Sequence, residues 1–279
     1  MPTSYPRPEL LASADWLAEN LGRPGVRVVD CRWRPDASAP ALFASGHIEG
    51  ATALDWVDLL DAGAEPPVQL AGPDTFAAAA SRAGIGDGTI AVLYDDSAAL
   101  YATRVWWSLR AYGFTSSRVL DGGYVGWKDA GRPVASGAPG AGGPTFTPRA
   151  DLRARVGAAD VRGTLGDPSI EIVDARSPAE YRGQEGPTLR LGHVPGARNL
   201  PAVLLTEPRS GTFQPPDALQ RLVNATGLPR GRRVIVYDGS GVAAAKVAFA
   251  LALLGYADVA LYEGGWSEWG DRADLPVER

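Results

Sequence analysis

A carboxylate, Asp238, stands between a short apolar run and a long apolar segment. Residues 234–237 are β-branched or aromatic, which is typical of a strand covered on both faces, and residues 242–254 are good helix formers. The glycines that follow Asp238 tolerate positive φ, so the chain can turn sharply from the strand into the helix. Such a turn points several N–H groups into one bowl at the positive end of the helix dipole. We predict a cradle for anions formed by the amides of Gly239, Ser240, Gly241, Val242, Ala243 and Ala244.

The chemistry expected of Asp238 is that of a carboxylate held by amides. Donors of this kind stabilise the charged form, so we expect the pKa of Asp238 to fall. An ionised carboxylate can serve as an oriented base or as a nucleophile, and Asp238 is therefore the predicted catalytic residue. The alternative is that Asp238 only caps the helix that follows, a position that Asp favours.

The elements that position this loop occur twice. Four motifs recur in the same order at nearly constant spacing: 28–32 with 172–176, 46–51 with 192–197, 92–95 with 235–238, and 121–127 with 263–269. Two copies of one fold are therefore expected. In each copy strands alternate with helices, including a helix over 10–21 with Ser13 as a cap, which predicts an α/β fold with a mainly parallel sheet. We predict a first domain over 1–134, a Gly- and Pro-rich linker over 135–149, and a second domain over 150–279.

The loop at Asp238 resembles the active-site loop of the rhodanese family of thiosulfate and mercaptopyruvate sulfurtransferases, whose pattern is roughly V-V-Y-C-G-S-G-V-T-A. The repeated Asp-x-Arg, Gly-His-x-x-Gly-Ala and Gly-Gly-x-x-x-Trp marks extend the resemblance over nearly the whole chain. It implies two tandem rhodanese-like domains, each a mainly parallel sheet with helices on both faces, the first of them an inactive copy. In the family the cysteine carries the sulfur as a persulfide, whereas Asp238 stands at its place here and Ala243 stands where threonine is common. A carboxylate cannot hold a persulfide, so sulfur transfer is expected to be absent or slight.

The same resemblance implies two basic substrate contacts. Residues 174–183 follow the family segment Asp-Ala-Arg-Ser-Pro-x-Glu-Tyr-Arg-Gly, and by position Arg182 and Arg190 are the predicted substrate-binding residues. They would offset the repulsion between Asp238 and an anionic substrate. The alternative is that both are solvated or paired with Glu180 and Glu185, since exposed pairs of this kind are common and weak.

Residues that occupy equivalent places in both copies are predicted to be structural. Asp95, the counterpart of Asp238, lacks the second glycine of the turn and is expected to cap the next helix. The histidines His47 and His193, and the arginines Arg32 and Arg176, recur as pairs. Only one copy carries a candidate site, so a shared structural role is expected for each pair.

The remaining reactive or aromatic side chains have simpler predicted roles. Cys31 is expected to be a buried thiol. Lys246, on the helix after the cradle, is expected to contact solvent, and the alternative is that it reaches a cleft between the domains. Aromatic residues should fill the helix and domain interfaces, and Trp33, Trp106 and Trp107 are candidates for an aromatic wall beside the site.

Composition limits the classes of function. The chain has 279 residues, a net charge of −5, one cysteine and two histidines. These values argue against a nucleic-acid binder, a membrane anchor, a disulfide framework and a histidine-rich metal centre, so no metal and no cofactor are predicted. We expect a cytoplasmic protein that binds a small molecule at the cleft between its domains, and the sequence leaves its oligomeric state open.

Three functions remain open. The first is a repurposed enzyme in which Asp238 performs acid–base or nucleophilic chemistry on a small molecule. The second is a rhodanese-like protein that binds a ligand without catalysis. The third is sulfur transfer, the activity that the family resemblance implies.

Overall fold

The computed structural model describes residues 4–138, 140, 142–151 and 153–279 of the chain. Strands of the first half are β1 Leu11–Ala12, β2 Val26–Asp30, β3 His47–Ile48, β4 Thr52–Ala53, β5 Ile90–Tyr94, β6 Ser117–Leu120 and β7 Val134–Ala135. Its helices are α1 Ala14–Asn20, α2 Ala39–Ser45, α3 Pro73–Arg82, α4 Leu100–Ala111 and α5 Gly123–Asp129, with 3₁₀ turns at Pro8–Leu10 and Trp56–Leu59.

The second half repeats this arrangement. Its strands are β8 Arg155–Val156, β9 Ile170–Asp174, β10 Arg198–Asn199, β11 Arg233–Tyr237 and β12 Val259–Tyr262. Its helices are α6 Ala158–Gly163, α7 Pro178–Tyr181, α8 Pro216–Ala225, α9 Val242–Leu253 and α10 Gly265–Trp269, with a 3₁₀ turn at Ala202–Leu205.

Two five-stranded parallel sheets have the same strand order. The first runs β1-β6-β5-β2-β4 and the second β8-β12-β11-β9-β10. The central strands consist mostly of buried β-branched and aromatic residues, which suits strands covered by helices on both faces. The predicted α/β fold of two tandem copies is therefore confirmed. Because parallel strands end at one edge, β2, β5, β9 and β11 all deliver their last residues to the same edge of their sheets.

The first predicted helix is shorter than expected. The helix α1 begins at Ala14, and Ser13 caps it by accepting a hydrogen bond from the amide of Trp16 at 3.0 Å. Leu11 and Ala12 instead form the edge strand β1 beside β6. Pairing with a sheet edge satisfies backbone groups that a longer helix would otherwise have satisfied.

The two copies pack against each other through α4 and α9. Trp106 of α4 meets Phe249 of α9 edge to face, with 4.9 Å between ring centroids. The strand β7 enters the predicted linker by one residue, and Phe146 of that segment is buried against Phe76 of the first copy. Positions 1–3, 139, 141 and 152 of the predicted domain and linker ranges lie outside the described residues, and those boundaries stay predictions.

Candidate functional site

Asp238 lies directly after β11, at the edge where the strands of the second sheet end. Its side chain is folded over the start of α9 and accepts hydrogen bonds from the amides of Gly241 and Ala243, the latter at 3.0 Å. Gly241 has φ of +81°, a conformation that glycine adopts without strain. Asp238 therefore caps α9, and two amides of the predicted cradle bind this carboxylate.

The pKa of Asp238 moves opposite to the expected direction. Burial raises the pKa above its usual value, although the amides of Ala243, Gly241 and Ala244 and the charge of Arg104 act to lower it. The prediction that the amides would dominate was wrong, because the carboxyl is only 5% exposed and loses most of its contact with water. A carboxyl with a raised pKa is a better proton donor and acceptor near neutrality than the sequence suggested.

The turn after Asp238 is held from behind by the Gly-Gly motif of the repeat. The amide of Trp266 donates to the carbonyl oxygen of Asp238 at 2.6 Å. Gly265 has φ of +53°, and a Cβ there would collide with that same carbonyl. In the first copy Gly123 packs on the carbonyl of Asp95 in the same way. The motif therefore shapes both loops, a role that its sequence pattern did not indicate.

Asp238 lines a cavity of about 690 Å³, which we call the Asp238 cavity. Residues 97, 98 and 100 of the first copy form part of its wall. The polar and charged lining of the second copy consists of Arg176, Ser177, Glu180, Thr206, Asp238 and Lys246. The geometry thus places carboxyl, guanidinium, hydroxyl and amine groups around one space.

Lys246 does not make the solvent contact that was predicted for it. It is only 4% exposed, and its Nζ donates to Oγ1 of Thr206 at 2.9 Å. Burial lowers the pKa of Lys246 to about 8, while the charge of Asp95 acts in the opposite direction. The side chain lines the Asp238 cavity. The signal for this placement was a lone lysine within a helix that is otherwise apolar on every face.

Arg176 has the structural role predicted from the repeat, and it also borders the cavity. Its guanidinium binds Asp174 at 2.6 Å and the carbonyl of Gly192 at 2.8 Å, and Arg32 repeats both contacts in the first copy. The Arg176 guanidinium also lies 4.4 Å from the ring of Trp266. Within the described residues its buried Nη1 atom has no hydrogen-bond partner.

Arg182 and Arg190 are not among the residues that line the Asp238 cavity. Arg182 is exposed and reaches Gln184 at 3.4 Å. The guanidinium of Arg190 donates to backbone carbonyls of the C-terminal segment, at Trp269, Gly270, Arg272 and Leu275. Neither of the two forms an ion pair with Glu180 or Glu185 in the described part of the chain. Their assignment as substrate contacts stays a prediction.

The residues predicted to be structural have that role. Asp95 accepts four backbone amides at the start of α4, at 2.7 to 3.0 Å. His47 and His193 are buried, and their Nδ1 atoms lie 2.9 and 2.7 Å from the backbone oxygens of Phe43 and Tyr181. Each histidine also stacks on the ring of that residue.

Cys31 and the candidate aromatic wall lie elsewhere. Cys31 is fully buried, and burial together with the charge of Asp30 raises the pKa of its thiol well above the usual value. Trp33 packs on Trp56, and the adjacent residues Trp106 and Trp107 belong to the core between the copies. None of the three tryptophans is among the residues that line the Asp238 cavity.

Arg104 of α4 connects the first copy to the loop in the second. Its fully buried guanidinium donates to the carbonyls of Gly241 and Val68 at 3.3 and 3.1 Å and lies 3.4 Å from the Glu263 carboxylate. Glu263 also accepts from Arg155 at 2.6 Å. This network joins both copies directly beneath the cradle, and sequence reasoning missed it because its members are far apart along the chain.

Two parallel sheets of identical strand order, with a strand–turn–helix loop at the edge of a shared cavity, define a tandem rhodanese-like protein. The rhodanese-like domain matches twice, at residues 13–130 and 157–272. The chain belongs to the rhodanese-like family.

Sulfurtransferases are among the relatives of this chain. It is 36% identical over 272 residues to 3-mercaptopyruvate sulfurtransferase of Escherichia coli strain K12, covering 95% of this chain and 96% of that protein. It is 33% identical over 291 residues to the sulfur carrier protein TtuD of Thermus thermophilus, covering 99% and 98%. The crystal structure of SseA from Escherichia coli, a 3-mercaptopyruvate sulfotransferase, superimposes with a TM-score of 0.84 at 32% identity, covering 92% of this chain and 98% of SseA. No helix in the described ranges is long and apolar enough to cross a bilayer.

Proposed function

We propose that this member of the sulfurtransferase family has lost sulfane-sulfur transfer and uses the carboxyl of Asp238 for proton transfer on a small molecule bound in the Asp238 cavity. In this proposal Asp238 occupies the place of the sulfur-carrying cysteine of the family. The reaction class is acid–base catalysis, with nucleophilic attack by the ionised carboxylate as its extension.

The observation that carries the proposal is the hydrogen bonding of Asp238. A carboxylate offers about four acceptor sites. The amides of Gly241 and Ala243 occupy two of them, and the side chain still lines the cavity. Acceptor capacity therefore remains for a ligand, while the amides fix the orientation of the carboxyl.

The location of sulfur in the chain supports the loss of sulfur transfer. Cys31 is the one cysteine in the sequence, and it is fully buried. Thiolates rather than thiols are the nucleophiles of sulfur chemistry. Because burial raises the pKa of Cys31, its thiolate is scarce at neutral pH.

The raised pKa of Asp238 supports proton transfer. Burial moves its pKa toward the range in which one group can both donate and accept a proton. Arg176 and Lys246 provide positive charge in the same cavity, which offsets the repulsion that Asp238 would exert on a negatively charged part of a substrate.

Sulfur transfer is tested with thiosulfate or 3-mercaptopyruvate as donor and cyanide as acceptor. We expect the wild type and Asp238→Ala to be equally inactive, and the double variant Asp238→Cys with Cys31→Ala to gain turnover from a thiol placed in the cradle. Wild-type turnover that survives Asp238→Ala would overturn the proposal. The single variant Cys31→Ala is the matched control, because it removes the native thiol without changing the loop.

The carboxyl itself is tested by carbodiimide coupling to an amine, read by peptide mass spectrometry across pH. Carbodiimides react with protonated carboxyls, so labelling of Asp238 should persist to higher pH than labelling of Asp36. Asp36 is the internal reference because it is exposed and its hydrogen bonds to Ser38 lower its pKa. Failure of Asp238 to react at any pH at which Asp36 reacts would show that the carboxyl is closed to reagents.

A further inference from the structure

The sequence contains two lysines, and they lie in opposite environments. Lys128, on α5, is exposed, whereas Lys246, on α9, is buried and lines the Asp238 cavity. Nearly all other positive charge of the chain is carried by arginine, which stays protonated in proteins. Lys246 is therefore the one basic side chain of this cavity that can become a neutral amine.

The surroundings of Lys246 shift its amine toward the neutral form. Its Nζ donates to the hydroxyl of Thr206, and it forms no ion pair with a carboxylate in the described part of the chain. The charged groups around it are Asp95 at the end of β5, and Asp238, Glu180 and Arg176 on the cavity wall. The charge of Asp95 favours the ammonium, but desolvation outweighs it, so burial lowers the pKa of Lys246 to about 8.

If the only role of Lys246 were to bind an anion, a fully charged ammonium would bind it most tightly. A buried lysine without a carboxylate partner is suited instead to act as a nucleophile, because the free amine has an available lone pair. Carbonyl compounds are the substrates on which lysine amines act as nucleophiles. The dehydration that follows needs an acid, and a carboxyl with a raised pKa lies in the same cavity.

We infer that Lys246 forms an imine with a small aldehyde or ketone in the Asp238 cavity. The Nζ lone pair forms a C–N bond with the carbonyl carbon, and a proton moves from nitrogen to oxygen to give a carbinolamine. The C–O bond then breaks as Asp238 protonates the departing hydroxyl, so oxygen leaves as water. The products are a protonated imine on Lys246 and the Asp238 carboxylate. No oxidant or reductant is needed, and water reverses the step.

The acid step rests on the proposed function of Asp238, but the formation of the imine on the Lys246 amine does not.

The test is reductive trapping: the full-length protein is incubated at pH 7.5 with propanal, acetone or glyoxylate and cyanoborohydride, and alkylation is followed at each lysine by peptide mass spectrometry. An amine with a pKa of 8 is about one quarter free base at this pH, against about 0.1% for a lysine of ordinary pKa.

We expect alkylation of Lys246 to start at least tenfold faster than that of Lys128 and to saturate with carbonyl concentration. The rate should rise with pH and level off above about pH 8. Labelling of Lys246 that is no faster than that of Lys128 and does not saturate would overturn the inference. The variant Lys246→Arg should remove the fast phase, and Lys128→Arg should leave it intact.

The variant Asp238→Asn separates the two proposals. Fast trapping that slows at least tenfold in Asp238→Asn supports both the amine and the acid. Trapping as fast as in the wild type keeps the imine on Lys246 and overturns the acid role of Asp238 in this step. Circular dichroism of each variant verifies that the fold is retained.

Discussion

Lys246→Met tests the desolvation of the buried amine through stability. Burial lowers the pKa of Lys246 from 10.5 to about 8 in the folded chain, so the unfolded chain binds the proton more tightly. Each pKa unit corresponds to 1.36 kcal/mol, so keeping the ammonium buried costs about 3 kcal/mol at pH 7. At pH 9.5 the cost falls to about 1 kcal/mol, because the folded chain has already released the proton while the unfolded chain is only beginning to release it.

The sign of the pH dependence follows from this lowered pKa. The wild type should gain stability from Lys246 as pH rises from about 8 to 10.5, and Met at this position has no charge to desolvate. Met also forfeits the hydrogen bond to Thr206, about 1 kcal/mol. We therefore expect the free energy of unfolding of Lys246→Met to exceed that of the wild type by about 2 kcal/mol at pH 7 and to be close to it at pH 9.5.

The assay is urea unfolding followed by tryptophan fluorescence at both pH values. The decisive quantity is the change in the variant-minus-wild-type difference, about 2 kcal/mol between pH 7 and 9.5, because other titrating groups cancel in it. Lys128→Met is the control and should show no such change, since Lys128 is exposed. A difference for Lys246→Met that is the same at both pH values would refute the desolvation argument and weaken the case for a nucleophilic amine.

Three further predictions concern the loop. Arg104→Met should lower the free energy of unfolding by about 3 to 5 kcal/mol, because buried Glu263 loses one of its partners. Since the charge of Arg104 lowers the pKa of Asp238, the same variant should move the pH midpoint of carbodiimide labelling at Asp238 upward. An unchanged midpoint would contradict this prediction. Gly241→Ala should lower the free energy of unfolding by about 1 to 3 kcal/mol, since φ is +81° and the added Cβ would lie 2.7 Å from Nη1 of Arg104. The control Gly239→Ala should leave stability nearly unchanged, because a Cβ there has no atom within 4 Å. Because the pKa of Asp238 is raised, its contribution to stability is full in acid and is lost as pH rises. The wild type should therefore lose stability relative to Asp238→Asn between pH 4 and 7, measured by urea unfolding. The opposite trend would show that the amides outweigh burial.

The repeated motifs were sufficient to predict the duplicated fold, because copies that share the same alternation of strands and helices are expected to form the same mainly parallel sheet. They also place Asp238 at a sheet edge, since a buried strand followed by two glycines and a helix has few other arrangements. The direction of its pKa shift could not be predicted in this way. The shift depends on how much water the second copy and helix α4 of the first copy exclude from Asp238. The packing of α4 on α9 joins residues that are distant in sequence.

Two other features of the site depend on long-range packing. The guanidinium of Arg190 donates to four backbone carbonyls because the C-terminal segment folds back beside it. No local sequence pattern predicts this contact. Lys246 is different, because an apolar helix with a single lysine already indicates a buried charge. The sequence contained that signal, and it was outweighed by the general preference of lysine for solvent.

Asp95 and Asp238 occupy equivalent places in the two copies but differ in their hydrogen bonding. Both carboxylates directly follow a five-residue strand with four buried residues, and each precedes a long helix. In the first copy Ala98 and Ala99 adopt positive φ, so the loop wraps around Asp95 and four amides occupy all of its acceptor sites. Around Asp238 the glycine turn supplies two hydrogen-bonding amides, and the side chain also lines the Asp238 cavity. The same residue type therefore accepts four amides as a helix cap in one loop and two in the other. Under the proposed function, this difference in the number of amides is what leaves Asp238, and not Asp95, able to contact a ligand.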